Sequence, residues 1–429
     1  MASRLRDFRL PGPPPGPARP EFWSSPLRGP WLTSLLGSLL LVLITVVTVT
    51  GFLSHAAYNP ALGHNALVPV SRDVGFLRFD WPTHPSWLYA LNQGLHVTVG
   101  FVAVPLLLAK LWSVIPRLFA WPPVRSPLHL LERISLAGLV GGALFQFVTG
   151  IINVQIFYPW HFDFVQAHYY GAVVFTASLI AHVIVKVPTM RRAYRARGVL
   201  APLREDLAHT RPEPAEAGGL APSAPSPPTL SRRGLLALVG GSSAGLAVMT
   251  AGQSIGGPLR QLALLAPHGG PSGSGPNDFQ VNKTAQSVGV QTTQVGPDWR
   301  LELHGPVGTV ALPRQALLAL DLHTDHLPIA CVEGWSTTQR WTGVPLAAFA
   351  RMAGARGEAT LFVESLQRGG AFSQTTLSAE QVHDPRSLLA LRVNGVDLSI
   401  DHGFPARIIV PALPGVHNTK WVARMTFST

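Results

Sequence analysis

The chain is short of cysteine, of charge and of acid. One cysteine, Cys331, stands among 429 residues, which excludes an intrachain disulfide and any zinc or iron–sulfur site built from several thiolates. Charged residues make up 13% against 47% hydrophobic, too few for an ordinary soluble surface, so membrane-spanning segments are implied. Acids are outnumbered 22 to 33, for a formal net charge of +11. In a membrane protein such an excess gathers in cytoplasmic loops. No basic run is interleaved with aromatics, so no nucleic-acid partner is indicated. No internal repeat and no cleavable N-terminal export peptide is read. Residues 1–30, rich in Pro and Arg, are expected to form a disordered cytoplasmic tail.

What is present is a series of apolar runs. Trp31–Leu53, Ser86–Ala109, Ile134–Tyr158 and Phe164–Val185 each exceed the roughly 20 residues that cross a hydrocarbon core, and Gly234–Met249 is a shorter fifth. Basic residues alternate between the loops. Arg4, Arg6, Arg9, Arg19 and Arg28 precede the first run; Lys110, Arg117, Arg125 and Arg133 separate the second and third; Arg191 through Arg233 crowd the segment before the fifth. The positive-inside rule then places the N-terminus in the cytoplasm and everything after residue 250 outside it, with the cytoplasmic (inner) membrane as the expected location. The expected organisation is a tail (1–30), a four-helix membrane domain (31–190), a cytoplasmic Pro/Ala/Glu linker (191–230), an anchor span (231–259), a flexible linker (260–276) and a mixed α+β domain (277–429). In the last, Pro345–Met352 reads as a short helix closed by Gly354, and Leu361–Glu364, Ala406–Val410 and Trp421–Phe427 read as strands. Paired midplane charges and broken helices, which a transporter would need, are not seen in the spans.

Histidines inside spans are functional candidates. His96 lies in the second run, His168 and His182 in the fourth. The latter two are fourteen residues apart, or about 21 Å along a helix, a separation that suits two stacked haems. By depth, His96 pairs with His168 as ligands of an outer b-type haem; a second haem would use His182, with His129 or His55 as partner. Gly94, Gly100 and Gly171 would let a flat ring approach the helices. The same imidazoles could instead hydrogen-bond across helices or line a proton path. Residues 31–190 resemble the four-helix dihaem cytochrome b subunits of formate dehydrogenase and the cytochrome b561 group, whose fourth helix carries two ligand histidines at this spacing. This chain departs from them at the first helix, which has no histidine near its cytoplasmic end.

Ser231-Arg232-Arg233-Gly234-Leu235-Leu236 precedes the fifth run and looks like a twin-arginine (Tat) export signal internal to the chain; a plain basic flank is the alternative. The segment Cys331-Val332-Glu333-Gly334-Trp335-Ser336, continued by Trp341-Thr342-Gly343-Val344-Pro345-Leu346, sets a cysteine at a strand end beside a glycine turn. There a thiolate could bind a soft metal whose other ligands come from a cofactor; on chemistry alone a buried inert cysteine is the favoured reading.

These two segments resemble the core motif of the sulfite oxidase fold and of the periplasmic methionine sulfoxide reductase catalytic subunit. In that family this cysteine ligates molybdenum, and molybdopterin supplies two more sulfurs. The resemblance implies pterin contacts from Asn277, Gln280, Val281 and Asn282, from Ser365, from His402 and Arg407 in Asp401-His402-Gly403-Phe404-Pro405-Ala406-Arg407, and from Asn418, Thr419 and Lys420 in the final loop. Arg340 and Trp341, with Arg368 and Phe372, would rim the substrate pocket; Phe372 falls where sulfite oxidase has its active-site tyrosine, which argues against sulfite. The implied function is a membrane-bound, molybdopterin-dependent oxidoreductase that links an oxygen-atom-type reaction on a small molecule to quinone through haem b. The competing expectation is a non-enzymatic electron conduit whose outer domain binds a partner.

Overall fold

The computed structural model describes residues 12–74, 77–124, 126–215, 219–266 and 274–428. Residues 1–11 of the expected tail with Arg4, Arg6 and Arg9, the loop residue Arg125, residues 216–218 of one linker and 267–273 of the other lie outside the described residues.

Among the described residues, five helices are long and apolar enough to cross a membrane: α1 (Pro30–Tyr58), α2 (Leu88–Leu118), α3 (Pro127–Val154), α4 (Phe164–Arg197) and α5 (Arg232–Ile255). Their side chains Val42, Val174, Ile184 and Leu238 are exposed, as lipid-facing positions of a membrane-crossing helix would be. The fifth helix is longer than the apolar run alone indicates. Ser231 Oγ accepts from Gly234 N at 3.0 Å and starts it two residues early, and no breaker intervenes before Gly256-Gly257-Pro258.

The chain divides into two compact units, and the division cuts all five helices rather than falling at linkers. One unit takes the described residues up to Thr45, Gly100–Thr149 and His168–Ala247. The other takes Val46–Val99, Gly150–Ala167 and the described residues from Val248 onward. In the first, Ile44, Leu107, Ala143 and Phe175 form one apolar cluster, and Trp31, Leu32, Leu36, Leu106 and Val239 another.

The second unit holds two sheets. The strands are β1 (Arg300–Gly305), β2 (Gly308–Pro313), β3 (His323–Ala330), β4 (Ser336–Pro345), β5 (Thr360–Ser365), β6 (Gln374–Leu377), β7 (Leu388–Val393), β8 (Val396–Asp397), β9 (Arg407–Ile409) and β10 (Val422–Ser428). One sheet runs β2-β1-β10-β5-β6, with β1 and β10 parallel; the other runs β3-β4-β7-β8, with β9 also on β7. Short helices α6 (Arg314–Leu318), α7 (Leu346–Met352) and α8 (Ala379–His383) join them. The expected helix and three strands correspond to α7, β5, β9 and β10. Pro345 caps α7, and Gly354 follows it at φ +71°, where a side chain would also strike Val307.

Strand alternation explains the core. Leu361 and Val363, Leu301 and Leu303, and Leu389 and Leu391 are covered and cluster with Phe349 of α7, Ala57 of α1 and Tyr89 of α2, while the alternate residues Leu388 and Ala390 face a second cluster with Cys331, Trp335 and Trp341. The core of the sheets therefore incorporates one end of two spans.

Candidate functional site

The sole cysteine sits on a hairpin. β3 and β4 pair antiparallel from His323 opposite Gly343 to Ala330 opposite Ser336, so residues 331–335 form the turn. Cys331 N donates to Trp335 O at 2.9 Å and Gly334 N to Cys331 O at 3.0 Å; Gly334 at φ +95° makes that closure possible. The thiol is buried. Asn282 Nδ2 lies 2.6 Å from Cys331 Sγ and 3.0 Å from Glu333 Oε2, and Asn282 Oδ1 accepts from Trp335 Nε1 at 2.9 Å. Burial, with Glu333 adding to it, pushes the thiol well above its ordinary pKa. A bound metal cation would favour the thiolate against that shift. Among the described residues no three His, Cys, Asp or Glu side chains gather as a metal site, so further donors would have to come from a cofactor.

The loop that carries Lys420 is tied to the strand end before this turn by Gly415 N donating to Ala330 O at 2.7 Å, and Lys420 feels the charge of Cys331; Arg407 stands next to it. Arg407, first residue of β9, is 3% exposed, donates to His402 O at 3.0 Å and Asn418 O at 3.1 Å, and lies 5.2 Å over the Trp341 ring. Burial pulls its pKa down to about 9, so it stays charged at neutral pH. Lys420 Nζ donates to Lys283 O at 2.8 Å and Asp401 O at 2.7 Å, and burial, with Arg407 beside it, lowers its pKa to about 7. Gly403 at φ +106° lets the two loops cross, since a Cβ there would stand 3.1 Å from the Cβ atoms of both Arg407 and Lys420.

Among the described residues neither cation pairs with a carboxylate side chain. Arg407 Nε, Asn418 Nδ2 and Thr419 Oγ1 are all buried without a partner. Orphaned buried donors and an uncompensated guanidinium each cost free energy in the protein alone. Together they fit an acceptor-rich anion such as a pterin phosphate, and the neighbouring thiol fits a metal chelated by the same molecule.

The remaining implied contacts divide. His402 stacks on Phe279 at 3.6 Å between centroids and donates Nε2–H to Asn277 O at 2.9 Å. The Asn277 side chain is spent on Asp397 O and Ser399 N, and the Gln280 amide faces the Arg260 guanidinium. Val281 is half-buried between Gln280 and Asn282, and Ser365 Oγ donates to Lys420 O at 2.7 Å.

Arg340 and Trp341 do not form a rim together. Neighbours on a strand point oppositely, and here Trp341 is fully buried, donating to Leu327 O at 3.1 Å, while Arg340 is exposed near the Asn394-Gly395 turn. Arg368 is exposed, and Phe372 carries Lys283 Nζ 4.8 Å over its ring. Phe279, Lys283 and Glu333 are not among the site residues the sequence suggested; their only signal is position, Glu333 two residues after Cys331, Phe279 between Asn277 and Gln280, and Lys283 next to Asn282.

Two buried histidines of the sheet region, His402 and His417, make stability depend on pH. Burial, with Arg407 adding to it, lowers the His402 pKa to about 3. Burial lowers that of His417, held between Thr375 Oγ1 at 2.6 Å and Tyr58 O at 2.8 Å, to about 4. Both are 6.5 when unfolded. Between those values the unfolded chain binds protons that the folded chain refuses, so stability falls as pH drops below about 6.5. With both groups contributing, the loss should approach about 2.7 kcal/mol per pH unit. Denaturant titrations of cofactor-free protein between pH 7 and 4 measure this, and a His417→Gln variant should roughly halve the slope.

The span histidines differ in their partners. His96 Nδ1 donates to Val47 O at 2.9 Å, and the ring lies against Gly51, where a Cβ would stand 2.7 Å from Cε1. His168 Nδ1 meets Thr149 Oγ1 at 3.0 Å. His55 Nε2 is engaged by both oxygens of Asp73 at 3.1 Å, so the nitrogen that a haem iron would take is committed to a carboxylate. His182, on α4, has the charges of Lys110, Lys186 and Arg117 in its surroundings. Of the three glycines expected to flank a ring, Gly94 packs on Ser254 and Gly171 on Gln146 and Phe145; only Gly100 faces open space. Gly94 and Gly171 thus serve close helix packing. At the internal twin arginine, Arg232 is fully buried and pairs with Glu205 at 2.9 Å.

Residues 288–429 match the family described as oxidoreductase molybdopterin binding domain. Among curated relatives, the chain is 34% identical over 100 residues to mitochondrial sulfite oxidase of Mus musculus (22% of this chain, 18% of that one). It is 32% identical over 107 residues to the putative protein-methionine-sulfoxide reductase subunit YedZ1 of Azospira oryzae (25% and 38%). It is 30% identical over 132 residues to the uncharacterized oxidoreductase YuiH of Bacillus subtilis (30% and 65%). The chain spans less than two thirds of the length of each of these relatives.

Proposed function

We propose that residues 288–429, which match the oxidoreductase molybdopterin binding domain family, work as such a domain of sulfite oxidase type, carried on a polypeptide with five helices, among its described residues, long and apolar enough to span a membrane. We propose that the whole protein is a membrane-bound molybdenum oxidoreductase, with that domain outside the cytoplasm and its electrons exchanged with quinone through haem b. The observation that carries the molybdenum half is a set of three buried, partnerless donors, at Arg407, Asn418 and Thr419, on loops one of which is tied to the residue before the buried thiol by Gly415 N donating to Ala330 O at 2.7 Å. In the proposal Cys331 ligates the metal, Arg407, Asn418, Thr419 and Lys420 hold the anionic part of the pterin, and the His402–Phe279 stack forms a wall of the cradle.

When bound, the cofactor supplies a two-electron centre able to give or take an oxygen atom. The protein's share is positional. The hairpin carries Sγ, Asn282 donates to it, and the buried residues His402, Arg407, Asn418 and Thr419 would line the cradle. The relatives carry different substrates in their names, sulfite for one and methionine sulfoxide for another, so the proposal stops at oxygen-atom-type chemistry on a small molecule.

For the membrane half, His96 and His168 are the proposed haem ligands. Each engages a partner through Nδ1, the arrangement that directs Nε2 of a ligand histidine toward a metal. A second haem at His182 is the finer form of the proposal. The alternation of basic loops supports a cytoplasmic N-terminus, and Arg232-Arg233 supports export of the folded domain by the twin-arginine route.

Elemental and optical analysis of the detergent-purified chain tests both halves. Molybdenum stoichiometric with protein, extractable pterin and a b-type α band are expected together. Protein that lacks molybdenum when expressed in a cofactor-producing host would refute the enzyme and favour the conduit; absence of the α band would refute the haem.

A further inference from the structure

The turn that carries Cys331 is held from below by two spans. Gln93 of α2 donates Nε2–H to Val332 O, and Ser254 of α5 donates its hydroxyl to Gly334 O. Ser336 Oγ donates in return to Ser254 O at 2.6 Å. Gly334 leaves room for Val97 of α2, which stands 2.7 Å from where a Cβ would lie, and Gly94 leaves room for Ser254, whose side chain stands 2.9 Å from its absent Cβ. Two glycines and three polar side chains therefore make one close contact between the ends of α2 and α5 and the 331–336 segment.

All of these residues belong to the same compact unit. Gln93 is 5% exposed, and its Oε1 is buried without a partner. A leucine would have avoided that cost, so the donor is the part of Gln93 that the site uses. His96 lies three residues further along α2, about 4.5 Å in rise and on the same side of the helix.

We infer that Gln93 and Ser254 are positioning residues for Cys331: by gripping the carbonyls of Val332 and Gly334 they set the direction of the thiol, and Gln93 ties that setting to the turn of α2 that bears His96. The inference rests on the reading of Cys331 as a metal ligand, but its first test does not. Cys331 is the chain's one thiol, so maleimide labelling of full-length, cofactor-free protein reports the turn alone. Gln93→Leu and Ser254→Ala should each label about tenfold faster than the parent, the change expected when a local opening becomes easier by about 1.4 kcal/mol. Ser254→Thr, which keeps the hydroxyl, should label like the parent.

In molybdenum-loaded protein, the sulfur-to-metal charge-transfer absorption should shift in Gln93→Leu and Ser254→Ala and stay in place in Ser254→Thr. Unchanged labelling in both variants overturns the inference whatever the metal content. Faster labelling with an unmoved band also overturns it, leaving a structural clamp. If the parent binds no molybdenum, the enzymatic reading fails while labelling still decides whether the grip exists.

Discussion

Replacing Cys331 by serine is expected to remove molybdenum-dependent turnover while leaving the fold in place. The thiol is small, buried and already hydrogen-bonded by Asn282, and a serine hydroxyl can accept the same bond. The hairpin around it is closed by backbone bonds that the substitution does not touch. Stability should therefore change by no more than about 1 kcal/mol. The chemistry should change far more. Altering a group that merely supports a ligand costs about 10- to 100-fold in affinity or activity, so loss of the protein's one proposed ligand should exceed about 100-fold. An alkoxide is also a harder donor than a thiolate, which shifts the electronics of any metal that remains. Turnover with a dye acceptor, molybdenum content and thermal midpoint should be measured on one preparation. A variant that kept molybdenum and at least half its turnover would sink the assignment.

Arg407→Met is the second large expectation, and it separates binding from stability. In cofactor-free protein Arg407 is a buried cation with no carboxylate partner, and its Nε is unsatisfied. Methionine of similar reach sheds that desolvation penalty. It also gives up the bonds to His402 O and Asn418 O and the contact with the Trp341 face. Exchanging a buried charge for a well-packed apolar chain is commonly neutral to stabilising, whereas stranding two carbonyls is costly. The terms oppose, and the net change in cofactor-free stability should stay within about 2 kcal/mol. Cofactor retention has no such compensation. One charge-assisted bond is worth about 1.5–3 kcal/mol, so pterin affinity should fall about 10- to 100-fold or more. Pterin released per chain after gel filtration, beside a denaturant titration of the apo form, measures the two separately. Equal loss in both would mean that Arg407 is a structural residue.

Much of this organisation was legible in the sequence because its signals are local. A span is announced by some twenty apolar residues in a row, and α1 to α5 follow those runs, with α5 extended by Ser231 as a cap and stopped by Gly256-Gly257-Pro258. Cys331 beside Gly334 marked a turn because only a glycine takes φ +95° without strain. The Thr- and Gln-rich stretch 336–340 went unread as part of β4, since half of its residues face outward and give no apolar alternation. Trp341 looked like a rim residue by motif and is buried, because the face a strand residue takes is settled by register against β3 and β7.

Sequence alone determined the five apolar helices, the solitary thiol in a glycine turn and the basic residues of the last two loops, since each depends on neighbours along the chain. The tertiary structure decided which donors are left unsatisfied beside the thiol, that His55 is committed to Asp73, that Gly94 serves Ser254, and that Gln93 reaches Val332 from 239 residues away. Those are outcomes of packing between segments remote in sequence. A polar side chain in an apolar run shows that a partner is needed, and only the folded chain shows which one it finds.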